Sequence, residues 1–225
     1  MGQGAPPSRT GVLAEHAYAA IRDAIQDNTL SSGQRIPELE LCAWLKMSRT
    51  PVREALRRLQ SEGMLEHGQG GLSVARLDLR AVTELYDLRE SLEGTAASLA
   101  ARGADGTEIR VLQATVDAHR TLPDDPKVHA RENTRFHQQI YRAAHNRFLL
   151  KSLQSLHDSV ALLGRTTFAA PGRILESINE HQAIVDAIAR HDEAQAEIHA
   201  RRHIRRGYEL RIGVLAAAAQ ADNHG

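Results

Sequence analysis

The run Ser-Arg-Thr-Pro-Val-Arg-Glu-Ala-Leu-Arg-Arg-Leu at residues 48–59 constrains this chain more than any other stretch. Ser48 suits a helix N-cap, and Pro51 is tolerated in a first turn because the amides there have no intrahelical acceptor to lose. A helix is expected to start here. At about 100° per residue, Val52, Ala55, Leu56 and Leu59 fall on one face, while Arg49, Arg53 and Arg57 step by four along another. Guanidiniums on the first two turns of a helix suit a phosphate backbone and the acceptor edge of guanine. A solvated amphipathic helix is the plainer alternative.

Composition decides where the evidence for nucleic acid must lie. Lys+Arg and Asp+Glu are both 28, so the formal net charge is zero and any such signal has to be local. Between residues 46 and 58, Lys46, Arg49, Arg53, Arg57 and Arg58 face Glu54 alone, a net of +4 on little more than one helix. The single cysteine, Cys42, has no internal disulfide partner. No apolar run approaches the roughly 20 residues of a membrane span, and residues 1–10 lack the apolar segment of a signal peptide. The expectation is a soluble cytoplasmic protein of a reducing compartment, with residues 1–11 a disordered tip.

Around the central run, Leu13, Ala17, Ala20, Ile21, Ala24 and Ile25 keep a helical period to about Asn28. Pro37 opens a second, short helix, a break follows at Met47-Ser48, and Gly63 stands where the third helix should end. Three helices with the last two joined by a tight turn suit a helix-turn-helix. Residues 64–66 and 72–74 are short extended candidates around His67-Gly68-Gln69-Gly70-Gly71, read as a two-stranded wing rather than a flexible linker because apolar residues bracket the glycines.

These residues carry a resemblance. Gly33-Gln34-Arg35-Ile36, Leu41, the run from Ser48 to Leu56, Leu59, Gly63 and the Gly70-Gly71 hairpin resemble the DNA-binding domain of the GntR family of bacterial transcriptional regulators. The resemblance implies a winged helix-turn-helix, expected over residues 1–76, that binds a palindromic operator in double-stranded DNA as a homodimer. It points to Arg35, Ser48, Arg49, Thr50 and Arg53 as DNA contacts, with the wing tip at Gly70 entering the minor groove. Family wings often carry a basic residue just before the glycine, where this chain has Gln69.

Beyond Arg76-Leu77-Asp78, with Asp78 a plausible N-cap, only helical period is visible, over residues 79–102, 107–120, 127–146, 148–163, 174–190 and 193–219. The fold class expected is therefore mainly α: the winged unit followed, over residues 77–225, by an all-α bundle of six or seven helices for effector binding and dimerisation. Aromatic residues make up 4% of the chain, so this core must rest on Leu, Ile, Val and Ala. Its inward stripes carry imidazoles. His137 and Asn133 sit one turn apart beside Phe136 and Ile140, His181 lies amid Ile174, Ile178, Val185 and Ile188, and His203 lies amid Ala196, Ala200, Gly207 and Leu210. A buried imidazole must satisfy two nitrogens, and a metal ion can do so for several at once; taken singly, each is more ordinarily bonded to a carbonyl or carboxylate. His157 and His199 are the decoys nearest the stripes, while His16, His119, His145, His191 and His224 read as surface residues. Arg89 falls within the stripe of Val82, Leu85, Leu92 and Ala96 and needs an anion, either Glu93 or a ligand carboxylate.

Here too the chain is similar to a known group. The segments 85–93, 133–137, 180–184 and 202–204 resemble successive signatures of the ligand-binding domain of FadR-type GntR regulators. The resemblance implies a divalent ion, zinc first with nickel or manganese as alternatives, held by Asn133, His137, His181 and His203, and a small organic-acid effector clamped by Arg89. Many relatives have Asp where this chain has Asn133. The function implied is a metabolite-responsive repressor released by its effector, with no membrane partner. Two other readings stay open: a metal-dependent hydrolase, against which no Asp or Glu is marked as a general base, and a pure metal sensor.

Overall fold

Helix-forming stretches alternate with Gly, Pro and Asp breaks, and among the described residues they give nine α-helices, a 3-10 turn and one two-stranded sheet. A computed structural model describes residues 9–68, 70–164 and 166–222, so that most of the expected disordered tip, Gln69 and His224 lie outside the described residues. The chain divides into two units: residues up to Leu77 together with His157–Gly164, and the rest from Asp78.

The first unit contains α1 (Arg9–Gln26), α2 (Glu38–Leu45), α3 (Arg49–Ser61), β1 (Leu65–Gly68) and β2 (Gly71–Val74). Its core is Ala17, Ile21, Ile25, Leu41, Val52, Leu59 and Val74, joined by Leu162. Gln26 also donates to Asp158 Oδ1 at 2.8 Å. This membership of residues 157–164 has no sequence signal, because it is a matter of where the chain returns. Lys46 takes a left-handed φ of 55° to end α2, and Gly63, at φ 76°, turns the chain out of α3 as expected. The strands pair antiparallel from Leu65↔Val74 to Gly68↔Gly71, a winged helix-turn-helix.

The second unit is all helical: α4 (Leu79–Gly103), α5 (Gly106–Arg120), α6 (Pro126–Ala143), α7 (Arg147–Ala161, its last residues in the first unit), a 3-10 turn (Thr167–Ala169), α8 (Arg173–Ala189) and α9 (Glu193–Asp222). Asp78, Asp105 and Asp125 cap their helices through side-chain oxygens, Asp105 in a reciprocal box with Glu108. The α6 helix stops three residues short of the expected end. His145 adopts φ 48°, and the Asn146 side chain accepts from Phe148 and Leu149 to start α7. With few aromatics, close approach does the packing: Ala96, Ala97, Ala100 and Ala101 of α4 are fully buried. A Cβ at Gly94 would lie 2.7 Å from Cγ of Arg201, so the α4–α9 contact requires glycine there. No helix among the described residues is long and apolar enough to cross a membrane.

Candidate functional site

The first unit presents a cationic surface. Arg35, Ser48, Arg49, Thr50, Arg53 and Gly70 are all exposed, and Arg35 is bridged to Ser73 of the wing. Arg35, Arg53 and Arg57, with Gln60 and His67, line a groove of about 380 Å³ where α3 meets the wing. Glu38 of α2 holds Arg53 Nε at 2.7 Å and reaches Arg49 Nε at 3.9 Å. Arg58, counted in the basic patch, is a tether instead: it pairs with Glu15 and Glu62 and lies 3.7 Å over the Tyr18 ring. Ser48 does occupy the N-cap position, but its side chain makes no capping bond. One of the two amides a capping hydroxyl normally takes belongs to the third helical residue, here Pro51, which has no N–H.

The second unit gathers the inward histidines. One ligating nitrogen from each of His137 (α6), His181 (α8) and His203 (α9) lies within 4.8 Å of the others, and all three residues are buried. Two relays converge on this centre. Arg89 donates through Nε and Nη2 to Glu93 Oε1 at 3.0 and 2.8 Å, and Glu93 Oε2 lies 2.6 Å from His137 Nδ1. Arg173 Nη1 donates to Glu180 Oε2 at 2.8 Å, and the same oxygen lies 2.6 Å from His203 Nδ1. Glu180 takes the Nδ1–H of His203, and Glu93 faces His137 Nδ1 as an ion-pair partner, so both rings turn Nε2 inward. The two Nε2 atoms stand 3.1 Å apart. With both Nδ1 atoms protonated, two lone pairs face each other, an arrangement that calls for a cation or a shared proton between them.

The electrostatics follow from burial and these partners. Burial would raise the Glu93 carboxyl, but His137 and Arg89 beside it hold it well below the usual carboxylate range. Glu93 in turn lifts Arg89 above its ordinary value against the cost of burial. Burial would likewise raise Glu180, and His203 and Arg173 bring it down. His203 is pushed down to about 4 by burial, against the pull of Glu180, and His181 is driven well below its ordinary value by burial and by His203 and His137. Two neutral imidazoles at neutral pH are what metal ligation needs.

The residues present suit a divalent cation. Asn133 lies one turn before His137, and its Oδ1 is buried without a hydrogen-bond partner, as is Nδ1 of His181. Of the two anions the sequence leaves open for Arg89, the fold supplies Glu93. His157 and His199 are half-buried and outside the triad. His119 corrects the surface assignment: it is 1% exposed, because it continues the buried face of Leu112, Thr115 and Val116 on α5. Sequence reasoning also passed over His129, Glu180 and Arg173. His129 had a signal, being one turn before Asn133 on the same face of α6; Arg173 lies one turn before Ser177 on the buried face of α8, just ahead of that helix's expected start, and Glu180 stands beside His181 in a segment already singled out.

Comparison with known proteins agrees with this two-part reading. Residues 13–72 match "Bacterial regulatory proteins, gntR family", and residues 84–206 match the FCD domain. The chain is 30% identical to the Glc operon transcriptional activator of Escherichia coli (strain K12), covering 86% of each. It is 33% identical to the "Probable D-xylose utilization operon transcriptional repressor" of Paenarthrobacter nicotinovorans, over 80% of this chain and 79% of that one. The E. coli McbR/YncC structure shares the fold at a TM-score of 0.80 and 20% identity, over 90% of this chain and 98% of that one. With an FCD match over more than half its length behind a gntR helix-turn-helix, the chain belongs to the GntR family of bacterial transcriptional regulators, FCD group, and is a DNA-binding regulator of transcription rather than an enzyme.

Proposed function

We propose that the chain is a repressor whose first unit, through Arg35, Ser48, Arg49, Thr50, Arg53 and the wing tip at Gly70, grips a palindromic operator as a homodimer, and whose second unit holds a divalent ion and a small organic acid that releases it. The observation that carries this reading is the pair of Arg–Glu–His relays meeting at Nε2 atoms 3.1 Å apart. Asn133, His137, His181 and His203 would hold the ion, with zinc the first choice for imidazole nitrogens and nickel or manganese next. When bound, such an ion supplies positive charge and a position open to a carboxylate. Glu93 and Glu180 hold the ring orientations, and Arg89, anchored on Glu93, would turn its remaining donors to the carboxylate of the acid. Occupancy of the second unit and DNA affinity of the first are then coupled reciprocally.

The experiment is metal analysis of the purified chain beside a gel-shift series on a palindromic promoter fragment, with and without chelator and with a panel of carboxylic acids. About one metal per chain, and DNA release by an acid only in the metal-loaded form, support the reading. Release that follows metal concentration and ignores every acid replaces it with a pure metal sensor.

A further inference from the structure

Next to the histidine triad lies a second group of imidazoles that neither the relays nor the triad uses. His119, near the end of α5, and His129, in the first turns of α6, are 1% and 2% exposed, with ring centroids 4.9 Å apart. His119 also lies 5.8 Å from His181, and Phe168 of the 3-10 turn sits 6.3 Å from both His119 and His129. His119 Nε2 and His129 Nδ1 are buried with no hydrogen-bond partner in the protein. Two buried imidazole nitrogens that no protein group meets cost free energy that a Leu or Phe would not, so the pair is suited to a polar guest that can bond both.

The chemistry of the group narrows what it takes. A neutral imidazole offers one N–H and one lone pair. A carboxylate only accepts and an ammonium only donates, so each suits half of such a surface; a hydroxyl does both and meets either tautomer. A second metal ion would need more converging ligands than these two side chains supply, and among the described residues only His137, His181 and His203 converge closely enough.

We propose that His119 and His129 form a hydroxyl-recognising subsite for the effector, selecting an acid whose carboxylate faces the triad and whose tail carries alcohol groups toward Phe168. This rests on the effector reading above and names the class of acid: a polyhydroxylated one, as against a plain aliphatic acid. Sites built to hydrogen-bond a substrate hydroxyl discriminate strongly against analogues that lack it, because their own buried groups are then left unpaired.

The test is calorimetric titration of the full-length, metal-loaded chain with three acids on one four-carbon skeleton: butyrate, its terminal hydroxy derivative and the fully hydroxylated erythronate. The wild type should bind erythronate at least about tenfold more tightly than butyrate. His119→Leu and His129→Leu should each lose most of that preference while their butyrate affinity and metal content stay unchanged. Both should fold, because each removes an unsatisfied polar group, and His129→Gln should restore part of the preference. Equal binding of the three acids by the wild type, or a preference untouched in both variants, overturns the subsite while leaving the carboxylate reading intact. A second metal per chain that disappears in the variants overturns it in favour of a metal pair. Failure of all three acids to bind metal-loaded protein overturns both readings together.

Discussion

The two arginine systems of this chain use one kind of ion pair for opposite purposes. On α3, Arg49 and Arg53 lean on Glu38 with side chains 59% and 54% exposed. In the second unit, Arg89 and Arg173 bind Glu93 and Glu180 with side chains 11% and 3% exposed. Exposed pairs are screened by salt and exchange partners readily, so a phosphate can take Glu38's place. Buried pairs have no such freedom, because an unpaired charge left behind is costly. Burial, rather than residue type, decides whether an Arg–Glu pair is a contact to be traded or a fixture that aims an imidazole.

The sharpest way to break the comparison is to remove both traded cations. Arg49→Ala with Arg53→Ala should weaken operator binding by on the order of a hundredfold or more, with the melting temperature unchanged. Anisotropy titration beside a thermal melt reads both, and intact DNA affinity would move the interface off α3. Glu38→Gln, which frees the same cations, should instead tighten binding a few-fold. In the buried system Glu93→Gln should cost about 3–5 kcal/mol by stranding Arg89, lowering the melting temperature by on the order of 10 °C. Arg89→Met added to it should recover much of the loss. An exposed control, Glu84→Gln beside Arg80, should change nothing measurable. If Glu93→Gln melts like that control, the buried relay is no fixture.

What the sequence made legible divides along the same line. The α3 face and the three inward histidines could be read because they obey one period, the apolar face of α3 and the stripes of α6, α8 and α9 fixing their offsets, and the wing because apolar residues bracket its glycines. The Arg89–Glu93 contact was within reach for the same reason, being one helical turn long. Glu180 was not, since it meets His203 across two helices from outside the buried face of α8, and Arg173, on that face, lies just ahead of the expected start of the helix. His119 was misplaced although Leu112, Thr115 and Val116 precede it at helical spacing; a polar residue at the end of an amphipathic helix reads as solvent-facing unless the period is followed through the last turn. The return of residues 157–164 to the first unit is tertiary, with nothing local to announce it.

Acidification tests burial at a group outside both systems. His119 is pushed down to about 4 by burial and by His129 beside it, whereas an unfolded imidazole titrates near 6.5. Between those values the unfolded chain holds more protons than the folded one, so stability is whole above about pH 6.5 and falls as pH drops toward 4. For this one group the loss is on the order of 3 kcal/mol. Urea unfolding of metal-free protein across that window should show the slope, and His119→Leu should flatten it. Identical profiles would mean that the ring is not buried neutral.

The effect most specific to the relays is on metal affinity rather than on the fold. Glu180 accepts from both Arg173 and His203, so Glu180→Gln should leave the fold standing while His203 loses the partner that fixes its Nδ1 proton. Outer-shell carboxylates of this kind are worth about 10- to 100-fold in metal affinity. Asn133→Asp should act in the opposite sense, because a carboxylate is a stronger ligand than an amide oxygen and adds a negative charge beside the three imidazoles. Competition titration with a chromogenic chelator measures both shifts in one assay. Opposite signs show that Asn133 faces the same ion that Glu180 supports through His203. A tighter site in neither variant, or a looser one in both, would mean that Asn133 stands outside the coordination sphere and that the cation rests on the three histidines alone.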